Sequence, residues 1–256
     1  MSLLFKSIKN SLLSDSLVII PTYNEIGNIE KMVQAVFALP KEFHLLIIDD
    51  GSPDGTAQKV KELQQKFPTR LFLIERSGKS GLGTAYIAGF KWAEPKNYAF
   101  IFEMDCDFSH NPSDLLRLYK ACAEDGFDVA VGSRYVEGGG FVNWPKDRIR
   151  LSKSASVYVN LVTCIGVKDP TAGFICYKRK VLETIDLDKI RFVGYAFQIE
   201  MKFAARKLGF SITEVPIIFT ERVEGVSKMS RNIIREGIVG VLKIQWNSFF
   251  SSYRKK

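Results

Sequence analysis

The chain has 256 residues, 46% of them apolar and 25% charged, the composition of an ordinary globular protein with a substantial core and room for one large or two small domains. No run approaches the roughly 18–20 apolar residues of a membrane-spanning helix, and Met1 to Ser16 shows no small-residue cleavage pattern, so the sequence predicts a cytoplasmic protein. Cys106, Cys122, Cys164 and Cys176 have no Cys-x-x-Cys spacing, which argues against a zinc centre or a disulfide framework, and the formal charge of +8 favours anionic partners without choosing among nucleic acid, phosphate esters and an acidic membrane surface.

Ser16 to Ile20 reads as a buried strand that Pro21-Thr22-Tyr23-Asn24-Glu25 ends. A helix follows from about Asn28, with Ile29, Met32, Val33, Val36 and Phe37 on one face. His44 to Ile48 is a second buried strand, closing on Asp49-Asp50-Gly51-Ser52-Pro53-Asp54-Gly55-Thr56. Ala57, Val60, Leu63 and Phe67 mark a second helix, Leu71 to Ile74 a third strand, and Gly81-Leu82-Gly83 the approach to a third helix through Trp92. Tyr98 to Phe102 is the fourth strand, which runs out on Met104-Asp105-Cys106-Asp107-Phe108-Ser109-His110-Asn111-Pro112. Next come a helix over 113–123 and a strand over 128–132 that leads into Ser133-Arg134-Tyr135. Glu137-Gly138-Gly139-Gly140-Phe141-Val142-Asn143-Trp144-Pro145 reads either as a mobile loop near a substrate or as a plain linker. A helix over about 147–164, an apolar run ending at Tyr177, a helix over 195–208, one strand over 211–220 and a last helix over about 231–250 complete the pattern. The division is an N-terminal extension (1–15), a main domain (16–230), and a C-terminal amphipathic helix with a basic tail (231–256).

Strands and helices in alternation predict an α/β fold with a mostly parallel central sheet flanked by helices. Ligands of such sheets bind outside the C-terminal strand ends, and the polar clusters at 21–25, 49–56 and 105–110 all fall at that edge. Residues at i and i+2 of an extended strand point the same way, so Asp105 and Asp107 can aim oxygens at one hard cation and leave its other positions to water and a diphosphate. A solvated turn is the alternative, because Asp, Ser, Asn and Pro are also turn residues. Gly78-Lys79-Ser80 ends like a phosphate-binding P-loop, but Leu73 stands where that motif needs glycine. Gly81-Leu82-Gly83 lacks the third glycine of a dinucleotide fingerprint. Asp50 suits a base N–H or a ribose hydroxyl, with Glu25 on the opposite wall. Carboxylates facing a diphosphate repel it without a metal, which implies Mg2+ or Mn2+. Arg134, Arg148, Arg222 and Lys228 follow strand ends or open a helix, where they bind phosphates or simply face solvent. The acidic strand ends argue against a non-catalytic basic module for membranes or nucleic acid, so no nucleic-acid partner is expected.

In this order, Pro21-Thr22-Tyr23-Asn24-Glu25, Asp49 to Thr56, Asp105 to Pro112, Gly132-Ser133-Arg134-Tyr135 and Asp169-Pro170-Thr171-Ala172-Gly173-Phe174 resemble family 2 glycosyltransferases of the dolichyl-phosphate (polyprenyl-phosphate) mannosyltransferase group. The resemblance covers about residues 16–230. It implies a GT-A fold and inverting transfer of mannose from GDP-mannose to a polyprenyl (dolichyl-type) monophosphate, giving polyprenyl-phosphate-mannose and GDP. By the same resemblance Pro21, Tyr23, Glu25, Ile48 and Asp50 line the nucleotide pocket, while Asp105, the backbone of Cys106 and Asp107 hold metal and diphosphate. Arg134, Arg222 and Lys228 meet the phosphates, and Arg134, Arg148 and Ser152 meet the acceptor phosphate. Cys106 stands where alanine is usual, a departure expected to add only oxidation sensitivity. The nearest alternative keeps the fold and uses UDP-glucose or another sugar nucleotide.

A lipid phosphate is ionised near neutral pH and attacks without a general base. Its tail requires work at a membrane, so the expectation is peripheral association with the cytoplasmic face, through the last helix or a partner subunit. That helix carries Ile233, Ile234, Ile238, Val241, Leu242, Trp246, Phe249 and Phe250 beside Arg235, Lys243 and the basic tail, which suits an interface; packing on the domain is the other reading.

Overall fold

The computed structural model describes residues 14–221 and 231–255. In its first half β1 (Ser16–Thr22), β2 (His44–Asp49), β3 (Leu71–Glu75) and β4 (Phe100–Glu103) alternate with α1 (Ile26–Phe37), α2 (Thr56–Lys66) and α3 (Leu82–Ala93). Leu17 to Ile20 and Leu45 to Ile48 are fully buried, as aliphatic strands covered on both faces must be. Their side chains alternate between two apolar layers: Leu17, Ile19, Leu46 and Ile48 enter one, and Val18, Ile20, Leu45 and Ile47 enter the other. α1 closes the second layer with Ile29, Met32, Val33 and Val36, spaced for one helical face.

The second half contributes α4 (Leu115–Ala123), β5 (Val129–Ser133), β6 (Gly140–Val142), α5 (Lys146–Thr163), β7 (Ile175–Lys178), α6 (Arg179–Thr184), α7 (Tyr195–Lys207), β8 (Ile212–Pro216), β9 (Ile218–Thr220) and α8 (Arg231–Phe250). Seven strands pair in the order β3-β2-β1-β4-β7-β5-β8, and β6 pairs with β9 in a separate ribbon. Only β7 runs against its neighbours β4 and β5; the other pairings of the large sheet are parallel. This is the α/β architecture expected of the sequence.

Three local expectations are corrected. Pro21 does not end β1 but lies within it, opposite Ile48. The Ile19 carbonyl accepts from Met104 on the β4 side and the Thr22 carbonyl from Asp50 on the β2 side. Pro21 therefore faces the side on which pairing with β4 has already stopped at Ile19, and its missing N–H costs no ladder bond. The single strand over 211–220 is two strands, because Ile217 donates its N–H to Ser133 at the end of β5 and accepts from Gly140 at the start of β6. The glycine-rich stretch is not loop throughout: residues 140–142 form β6, paired with β9, and turns flank it on both sides. Gly139 lies so close to the preceding chain that a Cβ there would sit 2.6 Å from the Ser133 carbonyl oxygen.

The C-terminal helix runs over the expected residues. α8 buries Val241 and Ile244 and packs on α5 and α7, while Leu242, Trp246, Phe249 and Phe250 on its other side are exposed. The packing reading holds for the buried face, and the exposed face is the one on which the interfacial expectation rests. Its tail is not free: the buried Tyr253 donates its hydroxyl to Glu200 at 3.2 Å, and the Lys255 N–H donates to the Thr184 carbonyl at 2.8 Å. The side chains of Ile233, Ile234, Arg235 and Ile238 lie outside the described residues, as do residues 1–13 of the N-terminal extension. Among the described residues no helix is long and apolar enough to cross a membrane.

Gly83 opens α3 where α7 crosses it, and a Cβ there would meet the Phe197 ring at 2.7 Å and the Phe192 carbonyl oxygen at 2.8 Å. That close approach accounts for the glycine that resembled part of a nucleotide motif. Gly83→Ala is expected to cost about 1–3 kcal/mol through overpacking, read as a lower urea midpoint with an unchanged slope; an unchanged midpoint would show that α7 yields freely.

Candidate active site

The C-terminal ends of β1, β2 and β4 meet at one edge of the sheet, and each releases a polar turn there. Asp49 fastens two of them together. One of its oxygens accepts from the Thr22 hydroxyl at 2.9 Å and the Ser52 hydroxyl at 2.6 Å, the other from the Ser52 N–H at 2.8 Å. Asp54 accepts from the Ile26 N–H at 3.1 Å and from the Thr56 N–H and hydroxyl, and so holds the starts of α1 and α2. Both carboxylates serve the scaffold, which frees their neighbours for the crevice.

Asp50 faces Arg76, whose Nε lies 3.1 Å from its Oδ1. Burial pushes the Asp50 carboxyl up and Arg76 opposes that shift. Arg76 is in turn held by the Thr84 hydroxyl at 2.8 Å. Tyr23 stands at the rim with Lys79 Nζ 4.9 Å from its ring, and Glu25 accepts from Asn28 at 2.9 Å. Ile48 is fully buried against α3, so only its backbone can reach a ligand. The same holds for Cys106, whose thiol is pushed far up, first by burial and then by Glu25, Asp107 and Asp105. A neutral buried thiol is a poor target for oxidation, contrary to the sequence expectation.

Asp105 and Asp107 do not lie on a strand, because β4 ends at Glu103. They sit on a turn with Phe108 at φ 58°, in which the Ser109 N–H donates to Asp107 Oδ1 at 3.0 Å and the Asp105 N–H donates to His110 Nδ1 at 3.4 Å. His110 is buried, stacked on Phe174 at 4.9 Å and edge-on to Phe219 at 5.4 Å. Among the described residues no group of three His, Cys, Asp or Glu side chains is placed to hold a metal. Two neighbouring carboxylates nevertheless fit a hard cation that takes its remaining ligands from water and phosphate, as Mg2+ and Mn2+ do.

The basic half lies across β9. Arg134 donates through Nε and one terminal nitrogen to the two oxygens of Asp169, at 2.7 and 2.6 Å, and to the Thr171 hydroxyl at 2.9 Å. Asp169 is 0% exposed and the Arg134 side chain 10%. The rings of Tyr135, Phe141, Trp144 and Phe219 surround this guanidinium at 5.5–5.8 Å. Arg148, at the start of α5, lies 4.0 Å from the Trp144 ring and bonds Glu221 at 2.7 Å. Both guanidinium groups thus border one indole, and Ser152 follows Arg148 by one helical turn on the same face. The two halves are joined where the Thr220 N–H donates to the Ser109 carbonyl at 3.2 Å. Arg222 and Lys228 lie outside the described residues.

Sequence reasoning gave no role to Asp49, Asp54, Arg76, His110 or Asp169. Asp169 and His110 stood inside recognised motifs; Arg76 had no signal at all. Because Asp169 is fully buried, Arg134→Ala is expected to destabilise the fold by about 3–5 kcal/mol, and a simultaneous Asp169→Ala to recover much of that loss. Equal unfolding midpoints for the single and double variants would show that the pair is not the source.

Known proteins fall in line with this geometry. The family described as glycosyl transferase family 2 matches residues 17–186. The polyprenol monophosphomannose synthase of Mycolicibacterium smegmatis is 48% identical over 226 residues, covering 88% of this chain and 85% of the relative. The undecaprenyl-phosphate mannosyltransferase of Micrococcus luteus is 41% identical over 227 residues, covering 89% and 92%. Among solved structures, a mannosyltransferase from Pyrobaculum calidifontis in complex with GDP-Man and Mn2+ superposes with a TM-score of 0.58 at 17% identity, covering 95% of this chain and 67% of that one. With a family model matching residues 17–186 and two relatives at 48% and 41% identity over most of its length, the chain belongs to glycosyl transferase family 2, in the group of the polyprenyl-phosphate mannosyltransferases.

Proposed function

We propose that this enzyme transfers mannose from GDP-mannose to a polyprenyl monophosphate, with inversion at the anomeric carbon. The observation that carries the reading is the meeting of the acidic 105–107 turn with Arg134 and Arg148 across one backbone bond, Thr220 to Ser109. Glu25 and Asp50 suit the nucleoside, and Asp105 and Asp107 would hold Mg2+ or Mn2+. When bound, that ion supplies charge neutralisation for the departing diphosphate. Arg148 and Ser152, on the first turns of α5, would receive the acceptor phosphate, and Arg134 behind them, paired with Asp169, would present a fixed, oriented dipole. The acceptor is already an anion, so orientation replaces proton removal as the task of these residues.

The lipid tail needs a surface. Val239, Leu242, Trp246, Phe249 and Phe250 form one exposed stripe along α8, and Val157 and Leu161 are exposed on α5, against which α8 packs. Apolar stripes of this extent mark interaction sites. The stripe would dock on a cytoplasmic leaflet, with Lys243 beside it and Lys207 Nζ 5.8 Å from the Phe249 ring.

The deciding experiment is transfer of radiolabelled sugar from GDP-mannose, GDP-glucose and UDP-glucose to undecaprenyl phosphate in detergent. Mannolipid from GDP-mannose, abolished by EDTA and restored by Mn2+, is expected; a lipid product from the UDP-sugar instead would reassign the donor. Arg148→Ala should raise the KM for the lipid phosphate about 10-fold with little change for GDP-mannose, and equal changes would remove Arg148 from the acceptor side. Replacing Trp246, Phe249 and Phe250 together with serine should reduce flotation with anionic liposomes while leaving transfer in detergent intact. Undiminished flotation would exclude this stripe as the docking face.

A further inference from the structure

Lys202, on α7, is fully buried, and the acceptor chemistry described so far does not use it. Its ammonium donates to three carbonyl oxygens: Ala172 at 2.6 Å, Gln198 at 3.1 Å and Pro170 at 3.2 Å. Three donors are met by three acceptors. The Pro170 and Ala172 carbonyls stand on either side of Thr171, whose hydroxyl accepts from Arg134, and the residue before Pro170 is Asp169, the carboxylate that grips the same guanidinium. The turn is held from its other side by Glu214 on β8, which accepts from the Lys168 N–H at 2.8 Å and the Asp169 N–H at 2.9 Å. An apolar side chain of similar size would fill this space without the cost of desolvating an ammonium. What the lysine adds is a grip on the turn.

We propose that Lys202 is a positioning residue for the acceptor half of the site: by clamping the carbonyls on both sides of Thr171 it fixes the Asp169–Thr171 turn, and through that turn the orientation of the Arg134 guanidinium. It touches neither substrate. The proposal rests on the function set out above. Lys202 therefore governs how well the acceptor phosphate is aligned, and leaves the nucleotide pocket, built on β1 and β2, untouched.

The test uses the full chain with GDP-mannose, Mn2+ and undecaprenyl phosphate, comparing Lys202→Met, Thr171→Val and the double variant. Lys202→Met is expected to lower kcat on the order of 10- to 100-fold, the loss that misplacement by about an ångström brings. The Kd for GDP-mannose, measured by calorimetry, should stay within about threefold. The double variant should lose less than the product of the two single losses, because both act on one turn. Thr171→Val tests the turn's own bond to Arg134; if Lys202→Met does not fold, Lys202→Gln, which keeps an N–H donor but shortens the clamp, carries the same expectation and decides the matter. Wild-type kcat in either folded variant, a Kd weakened as much as kcat, or fully multiplicative losses would overturn the proposal. Wild-type transfer in the same assay separates the two levels: no mannolipid from the wild type refutes the functional assignment, whereas normal transfer that the variants share refutes only the role of Lys202.

Discussion

The contact on which the acceptor side depends is the fork of Arg134 on Asp169. A buried carboxylate and guanidinium repay their lost hydration only when the geometry is complete and the remaining polar atoms are matched. Completeness here recruits distant parts of the chain: the Arg134 N–H also donates to Asp169 at 3.0 Å, and Glu214 on β8 holds the turn from behind. The rings of Tyr135, Phe141, Trp144 and Phe219 surround the guanidinium and leave the Arg134 side chain only 10% exposed. β6 and β9 pair beside this cation, so the small ribbon and the pair support each other.

At the opposite wall the problem is reversed, since carboxylates outnumber cations. The fold divides them by task. Asp49 and Asp54 are consumed by hydroxyl and N–H donors within the turns, and Asp50 is balanced by Arg76. Asp105 and Asp107 remain on the turn beyond β4, their backbone shaped by His110 and Ser109. A crevice built this way favours a cation before it favours an anion, which orders the electrostatics of binding: hard ion and diphosphate belong together.

Much of this was legible in the residues. The aliphatic runs of β1, β2 and β4 carry their burial in their composition, and the turn-formers after them mark the strand edge. The glycine-rich stretch misled because glycine signals freedom and close approach alike; Gly139 is there for the second reason, and only the position of the Ser133 carbonyl reveals it. The break at Ile217 was hidden for a similar cause, since an apolar run does not record which neighbour each backbone group faces. Pairs such as Arg134 with Asp169, or Arg76 with Asp50, join residues far apart in sequence, and one chain alone holds no signal for them. α8 was ambiguous in sequence because it has two apolar faces, one packed and one exposed.

The strand order also has a consequence in time. β1, β2 and β3 are linked by successive helical crossovers and pair with near neighbours in sequence, so their half of the sheet needs only contacts that close early. β4 at the centre of the sheet and β5 next to its far edge each wait for a strand made later: β4 for β7, with Phe100 opposite Lys178, and β5 for β8, with Val129 opposite Ile212. Non-local pairings of this kind bear the entropy of loop closure before contact compensates for it. As the chain leaves the ribosome, the nucleotide side therefore has all its strands before the acceptor side does, and β5 keeps an open edge until Ile212 to Pro216 have emerged.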